Sequence, residues 1–257
     1  MRQPFAKRLL CGAGIAAVAA LTMACGPAQR PADQTMARRA VVTTLSFSNY
    51  EWKVKASAAG QRVGPGPNLF SANSRNAWVD PQGRLHLRIT EKDGRWYCAE
   101  VISRRSFGYG TYDFVVRGVQ GLDPSVVLGL FTWSDRPDYH HREIDCEVGR
   151  WRDAAADNAQ FVVQPYTRPT NIVRFPIAPA HDAVRFRFDW RPERVAFECR
   201  AEGSTAPIRA WTFAGEGVPK AGGENARMNL WLFRGKPPAD GAEPEVIIER
   251  FAFTPAR

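Results

Sequence analysis

The chain is short of cysteine, has no run of basic residues and no apolar stretch long enough to cross a bilayer, and each shortage removes a class of protein. Only five of its 257 residues are Cys. Three lie beyond Cys25, namely Cys98, Cys146 and Cys199, and an odd number cannot all pair with one another. The apolar segment Leu9 to Ala24 falls short of the ~20 residues that a membrane-spanning helix needs. Lys and Arg give a formal charge of +9, yet they are scattered among acids rather than gathered in a stripe, so nucleic acid is not the expected partner. Most of them are Arg, whose planar fork suits carboxylate, sulfate or phosphate groups. No internal repeat and no long amphipathic helix is visible.

What is present begins with a basic start, Arg2, Lys7 and Arg8, ahead of that Ala-rich apolar run. Residues 1–24 therefore read as an export signal, and its removal lowers the formal charge to +6. The "LTMAC" around Cys25 resembles a bacterial lipoprotein site, in which the Cys is lipidated; Thr22 in place of the usual Leu leaves ordinary cleavage near Ala24 as the alternative. Residues 25–42, rich in Pro, Gln, Ala and Arg without apolar periodicity, read as a flexible tether, so any membrane attachment would be through the lipid alone. Export favours disulfides, which keeps a Cys98–Cys199 bridge open. Cys146 alternates with acids and reads as a small buried hydrophobe.

From residue 43 to residue 257 the sequence offers short strand-like segments such as "RLHLRIT", "VLGLFTW", "VRFRFDW" and "RMNLWLF". Breakers such as "GPGPN", "DPQG" and "KPPADG" separate them. The pattern predicts one all-β sandwich domain.

The segment "REIDCEVGRW", Arg142 to Trp151, carries the chemistry. Its alternation is that of a half-buried strand, which puts Glu143, Asp145 and Glu147 on one face about 6.6 Å apart from Cα to Cα. Like charges so placed are costly, and charged strand faces usually mix in Lys, Thr and Ser. Two long Glu side chains leaning over a shorter Asp can approach the ~5–5.5 Å separation of a retaining glycosidase. Crowding would also spread their pKa values, leaving one acid ionised and another neutral. Trp133, Trp151, Trp231 and Tyr166 lie near polar residues such as Asn229 and Gln164; each could pack in the core or offer a flat ring to a sugar.

The five residues "EIDCE" resemble the signature of family 16 of the glycoside hydrolases, the laminarinase, lichenase and agarase group. "WYCAEVISRRSFGYGTYDFVVR", "VRFRFDWRPERVAFE" and "RMNLWLF" extend the resemblance, in order, across roughly residues 45 to 255. The resemblance implies a concanavalin A-like jelly roll of two curved antiparallel sheets. It also implies an endo-acting retaining hydrolase or transglycosylase that needs no cofactor, acts as a monomer on a polysaccharide or oligosaccharide, and has room in its family for a structural calcium. Residue by residue, Glu143 matches the nucleophile, Asp145 its helper and Glu147 the acid/base. Glu100, Asn229 and Trp231 match sugar contacts, and Gln164 and Tyr166 fall on a strand beside the cleft, as does Trp133. Two positions depart: His141 stands where glucan-cleaving relatives carry Trp, and Ile102 where some carry a cleft Arg. His141 could meet an anionic sugar or simply pack. If His140 and His141 lie on a strand they point to opposite faces, so a metal site is not expected. A catalytically silent, lectin-like sandwich of the cell envelope is the competing reading.

Overall fold

The computed structural model describes residues 41–257. The expected export signal, the lipidation site at Cys25 and the tether up to residue 40 lie outside the described residues. The sandwich begins slightly before the expected boundary: Val41 bridges Asn73, and the Val42 N–H donates to the Ala72 carbonyl at 2.6 Å.

Breakers and alternating segments translate into seventeen strands among the described residues. The first nine are β1 (Thr44–Phe47), β2 (Tyr50–Val54), β3 (Leu69–Phe70), β4 (Ala77–Val79), β5 (Leu85–Arg88), β6 (Thr90–Lys92), β7 (Arg95–Ser106), β8 (Gly110–Arg117) and β9 (Val126–Trp133). They are followed by β10 (Ile144–Gly149), β11 (Ala159–Val163), β12 (Ile172–Phe175), β13 (Ala183–Arg191), β14 (Arg194–Ala201), β15 (Arg209–Ala214), β16 (Asn225–Leu232) and β17 (Glu245–Pro255). One sheet runs β1-β2-β7-β16-β9-β10-β11-β12, with β3 and β6 attached to β7; the other runs β15-β14-β13-β8-β17-β5-β4. Pairing is antiparallel apart from the two-residue β3 against β7. This is the all-β sandwich that the sequence pattern predicts, in the jelly-roll form that the resemblance implies.

Alternation decides which side of each strand enters the core. In β13, Val184, Phe186, Phe188 and Trp190 are buried, while Arg185, Arg187 and Asp189 face outward into an ion-paired surface that includes the Arg185–Asp113 bridge. In β10, Ile144, Cys146 and Val148 join the core, which turns the acids to the opposite face. Aromatic pairs lock the layers together: Phe161 of β11 stacks on Phe197 of β14 at 4.9 Å, and Trp52 of β2 meets Phe251 of β17 edge-on at 5.2 Å. Such pairs add about 0.5–1.5 kcal/mol beyond the area they bury.

The three described cysteines are free and buried, so the Cys98–Cys199 bridge left open by the sequence does not form. Cys98 lies on β7 and Cys199 on β14, in different sheets. Burial pushes all three thiols up, and they act as small apolar groups.

Phe161→Ala should remove an aromatic group that touches both sheets, costing about 3–5 kcal/mol and lowering Tm by roughly 10 °C. Thermal unfolding followed by circular dichroism measures this.

Candidate active site

Glu143 is set in place by a strained turn. His140–Arg142 forms a single 3-10 turn instead of the strand considered for the two histidines. Tyr139, His140, His141 and Arg142 have φ of 53°, 51°, 63° and 53°, a left-handed run that costs non-glycine residues of order 1–3 kcal/mol each. Side chains hold it. The Arg142 guanidinium, 5% exposed, donates to Asp138 Oδ2 at 2.6 Å and to the Lys220 carbonyl at 2.8 Å. Thr132 Oγ1 donates to the Arg142 carbonyl at 2.7 Å. His141 Nδ1 lies 2.9 Å from the Ser134 carbonyl, which makes that nitrogen the donor, and its ring stacks on Trp133 at 4.1 Å and 8°. His140 is exposed. The chain then returns to extended geometry at Glu143 (φ −85°, ψ 121°) and enters β10.

From there the ladder fixes the neighbours. Asp145 pairs with Phe131 on β9 and Val162 on β11; Glu147 pairs with Gly129 and Gln160. Two of the three acids meet an amide. Gln160 Nε2 donates to Glu147 Oε2 at 2.5 Å, and Gln164 Nε2 donates to Asp145 Oδ2 at 3.3 Å. The Gln160 amide is itself oriented by Arg174, whose Nε donates to Gln160 Oε1 at 3.0 Å and whose guanidinium lies over the Trp151 ring. Gly129 is required here: a Cβ at that position would meet Asn229 Oδ1 at 2.6 Å.

Burial of the row has an electrostatic result. Glu143 is pushed up to about 8, first by desolvation, then by the Glu147 and Glu100 charges, against the opposing hydrogen bond from Asp145 and the field of Arg227. Asp145 is raised by burial and by both neighbouring acids. Glu147 is pushed up to about 7 by burial, with Gln160 and Arg174 opposing. At neutral pH the row therefore keeps protons that isolated carboxylates have lost, and a protonated Asp145 donates to Glu143, which eases the ionisation of Glu143 against its burial.

The other expected site residues divide. Glu100 is fully buried and its oxygens are taken by Lys55 at 2.8 Å, Arg227 at 3.3 Å and Asn229 at 3.4 Å, so it anchors cleft residues instead of reaching a sugar hydroxyl as the resemblance implied. Asn229 is buried beside it, and its Oδ1 has no hydrogen-bond partner among the described residues. Trp133 is half-buried, with one face against His141. Trp231 is half-buried near Phe233. Gln164 contacts Asp145, and Tyr166, 62% exposed, follows it. The sequence reading missed Arg142, Gln160, Arg174, Lys55 and Arg227. Alternation alone could have found Gln160, four residues before Gln164, and Arg227, two before Asn229; the others depend on strand pairing and loop closure. Arg227 lies opposite Ile102, so the cleft does hold an arginine, supplied by β16 instead of β7. Among the described residues no group of three or more His, Cys, Asp and Glu is arranged to hold a metal ion.

No family model matches the chain, and no curated protein matches its sequence. Solved structures do match. A β-glucanase of Bacillus licheniformis aligns at TM-score 0.60 and 17% identity, over 80% of this chain and 92% of that one. The chain has the β-glucanase fold. The same fold is shared with an immunostimulatory antigen and pseudo β-1,3-glucanase of Mycobacterium tuberculosis (TM-score 0.60, 19% identity, 80% and 91% covered). It is shared too with a GH16 protein of Bacteroides ovatus in complex with a G4G4G3G product (TM-score 0.60, 11% identity, 79% and 94% covered).

Because the native state holds a proton on Glu143 that the unfolded chain has released, stability falls as pH climbs from the ordinary carboxylate range towards 8. Glu143→Gln should therefore raise Tm by roughly 3–8 °C at pH 8 and change it little at pH 5, in paired thermal melts.

Proposed function

We propose that the protein is a retaining glycoside hydrolase of the family 16 type, or a transglycosylase with the same residues, acting on β-glycosidic bonds within a polysaccharide. The observation that carries this reading is the buried row Glu143–Asp145–Glu147, three acids on one strand face with their pKa values raised, inside the β-glucanase fold. In the first step the Glu143 carboxylate attacks the anomeric carbon while the bond to the leaving oxygen breaks and Glu147 gives that oxygen its proton. In the second, Glu147 takes a proton from water or a sugar hydroxyl, whose oxygen displaces Glu143 and restores both carboxyl groups. Asp145, by donating to Glu143, eases the ionisation of the nucleophile. The unpaired Asn229 Oδ1, in register with Glu147 across Gly129, is suited to a sugar hydroxyl. Export with a lipid anchor at Cys25 would bring such an enzyme to polymers outside the cytoplasm.

A silent, glycan-binding sandwich is the second reading, favoured by two observations: a structural relative is described as a pseudo-glucanase, and His141 covers one face of Trp133.

Glu143→Ala should stay folded and lose turnover, and azide should restore cleavage of an activated glycoside with inverted product. Glu147→Gln should slow glycosides with poor leaving groups by about 10²–10⁴-fold and activated aryl glycosides far less. Full activity of Glu143→Ala on a natural glycan would overturn the nucleophile assignment, whereas no cleavage by the unsubstituted protein across a polysaccharide panel with reducing-end detection would favour the silent reading.

The pair Glu143 and Glu147 also sets a pH profile. Turnover needs one proton between them, on Glu147 with Glu143 ionised: kcat/KM should rise as the pair loses its first proton and fall as it loses its second, a bell moved to the alkaline side of ordinary carboxylates by the burial of both groups, with limbs that belong to the pair. Initial rates measured from pH 5 to 10 check it.

A further inference from the structure

The acid row continues across the sheet into a second site. Asp145 pairs with Phe131, Phe131 with Arg227, Arg227 with Ile102 and Ile102 with Lys53. Ile102 is thus three strand spacings, about 14 Å, from Asp145. A pyranose ring is about as long as one such spacing, so the far end of this row lies two to three sugar units from the reacting bond. There the surface opens into a cavity of about 470 Å³ whose lining includes Lys53, Ile102, Arg104, Asn225, Arg227 and Asp135, together with Thr43 and Thr44.

Its charge is unbalanced. Lys55 and Arg227 are offset by Glu100 and Asp135, which they bridge. Lys53 and Arg104 are exposed and have no ion-pair partner among the described residues. Glu51, which precedes Lys53 on the same face of β2, accepts a hydrogen bond from Ser46 Oγ instead of pairing with Arg104. Arg227 is 9% exposed, and its Nε donates to no acceptor. Unpaired cations beside Ile102, with the Thr43 and Thr44 side chains among the lining residues, fit a small anion carried on a sugar ring, because Arg binds such groups through two parallel N–H bonds. The acid row carries less than its full charge near neutral pH because burial raises its pKa values, and Arg227 stands between it and the cavity.

We infer that this cavity is a subsite for a sulfate or carboxylate substituent on the glycan. The inference rests on the reading of this face as a glycan cleft, and it moves anion recognition away from His141, whose ring is held by Trp133 and the Ser134 carbonyl.

The test uses full-length Glu147→Gln protein, which binds without rapid turnover, on an array carrying each glycan backbone in neutral, sulfated and uronate form. At least one anionic glycan should bind about tenfold more tightly than its neutral counterpart, a difference of about 1.4 kcal/mol, and the advantage should shrink at high salt. Lys53→Ser with Arg104→Ser should collapse the ratio towards one, with Tm unchanged, whereas His141→Gln should leave it. Preference among the sulfated or the uronate arms identifies the group. If no anionic glycan exceeds its neutral counterpart, or the ratio survives the Lys53 and Arg104 substitutions, the inference is overturned. Reducing-end release by the unsubstituted protein is scored separately: cleavage without anionic preference overturns the subsite alone, and anionic preference without cleavage supports the subsite while removing the hydrolase reading.

Discussion

Three carboxyl groups on one buried strand face cannot all carry charge, because each would be ionised in the field of the others with little water to help. Most features around β10 answer that constraint. Gln160 and Gln164 present amide N–H groups to Glu147 and Asp145, partial positive charges that ease ionisation without cancelling it. Arg227 and Arg174 act from one strand further away on either side, close enough to bias the protons and too far to form a salt bridge that would fix them. The row therefore keeps protons near neutral pH. That condition suits a reaction in which a carboxylate and a carboxylic acid exchange roles.

The same constraint explains the division of labour between the strands of this sheet. Glu100 is also buried, but it meets Lys55 and Arg227 directly and forms a fixed ionic anchor. Breaking such a buried pair from one side is costly, because the partner is left uncompensated. Two kinds of buried acid thus share one sheet. One is tied down and shapes the cleft floor; the other is left with its protons to move.

Much of this was legible in the chain itself. Alternation in "EIDCEVG" put Asp145 and Glu147 on the correct face, and the same rule in "VRFRFDW" separated Phe186 and Phe188 from Arg185 and Arg187. Local periodicity failed where the backbone leaves the extended region: nothing in "DYHHRE" announces four left-handed residues, since none of the four is Gly or Asn, the types that adopt that geometry most readily. It also could not show that Lys55 and Arg174 reach the site. Both arrive by pairing with strands distant in sequence, and pairing is a property of the whole sheet. The pairing of Cys98 and Cys199 stayed open for the same reason, and it is their free, buried state in the folded chain that closes it.

The turn at Tyr139–Arg142 has a further consequence for how this protein could change. Its backbone would relax if Gly or Asn replaced Tyr139 or His140, so a search for heat-resistant variants should find such replacements there. Relaxation would also loosen the lever that sets the approach of Glu143 to its neighbours. Selection for heat resistance and selection for catalytic geometry would then pull this one loop in opposite directions, and the residues that occupy it record which of the two prevailed.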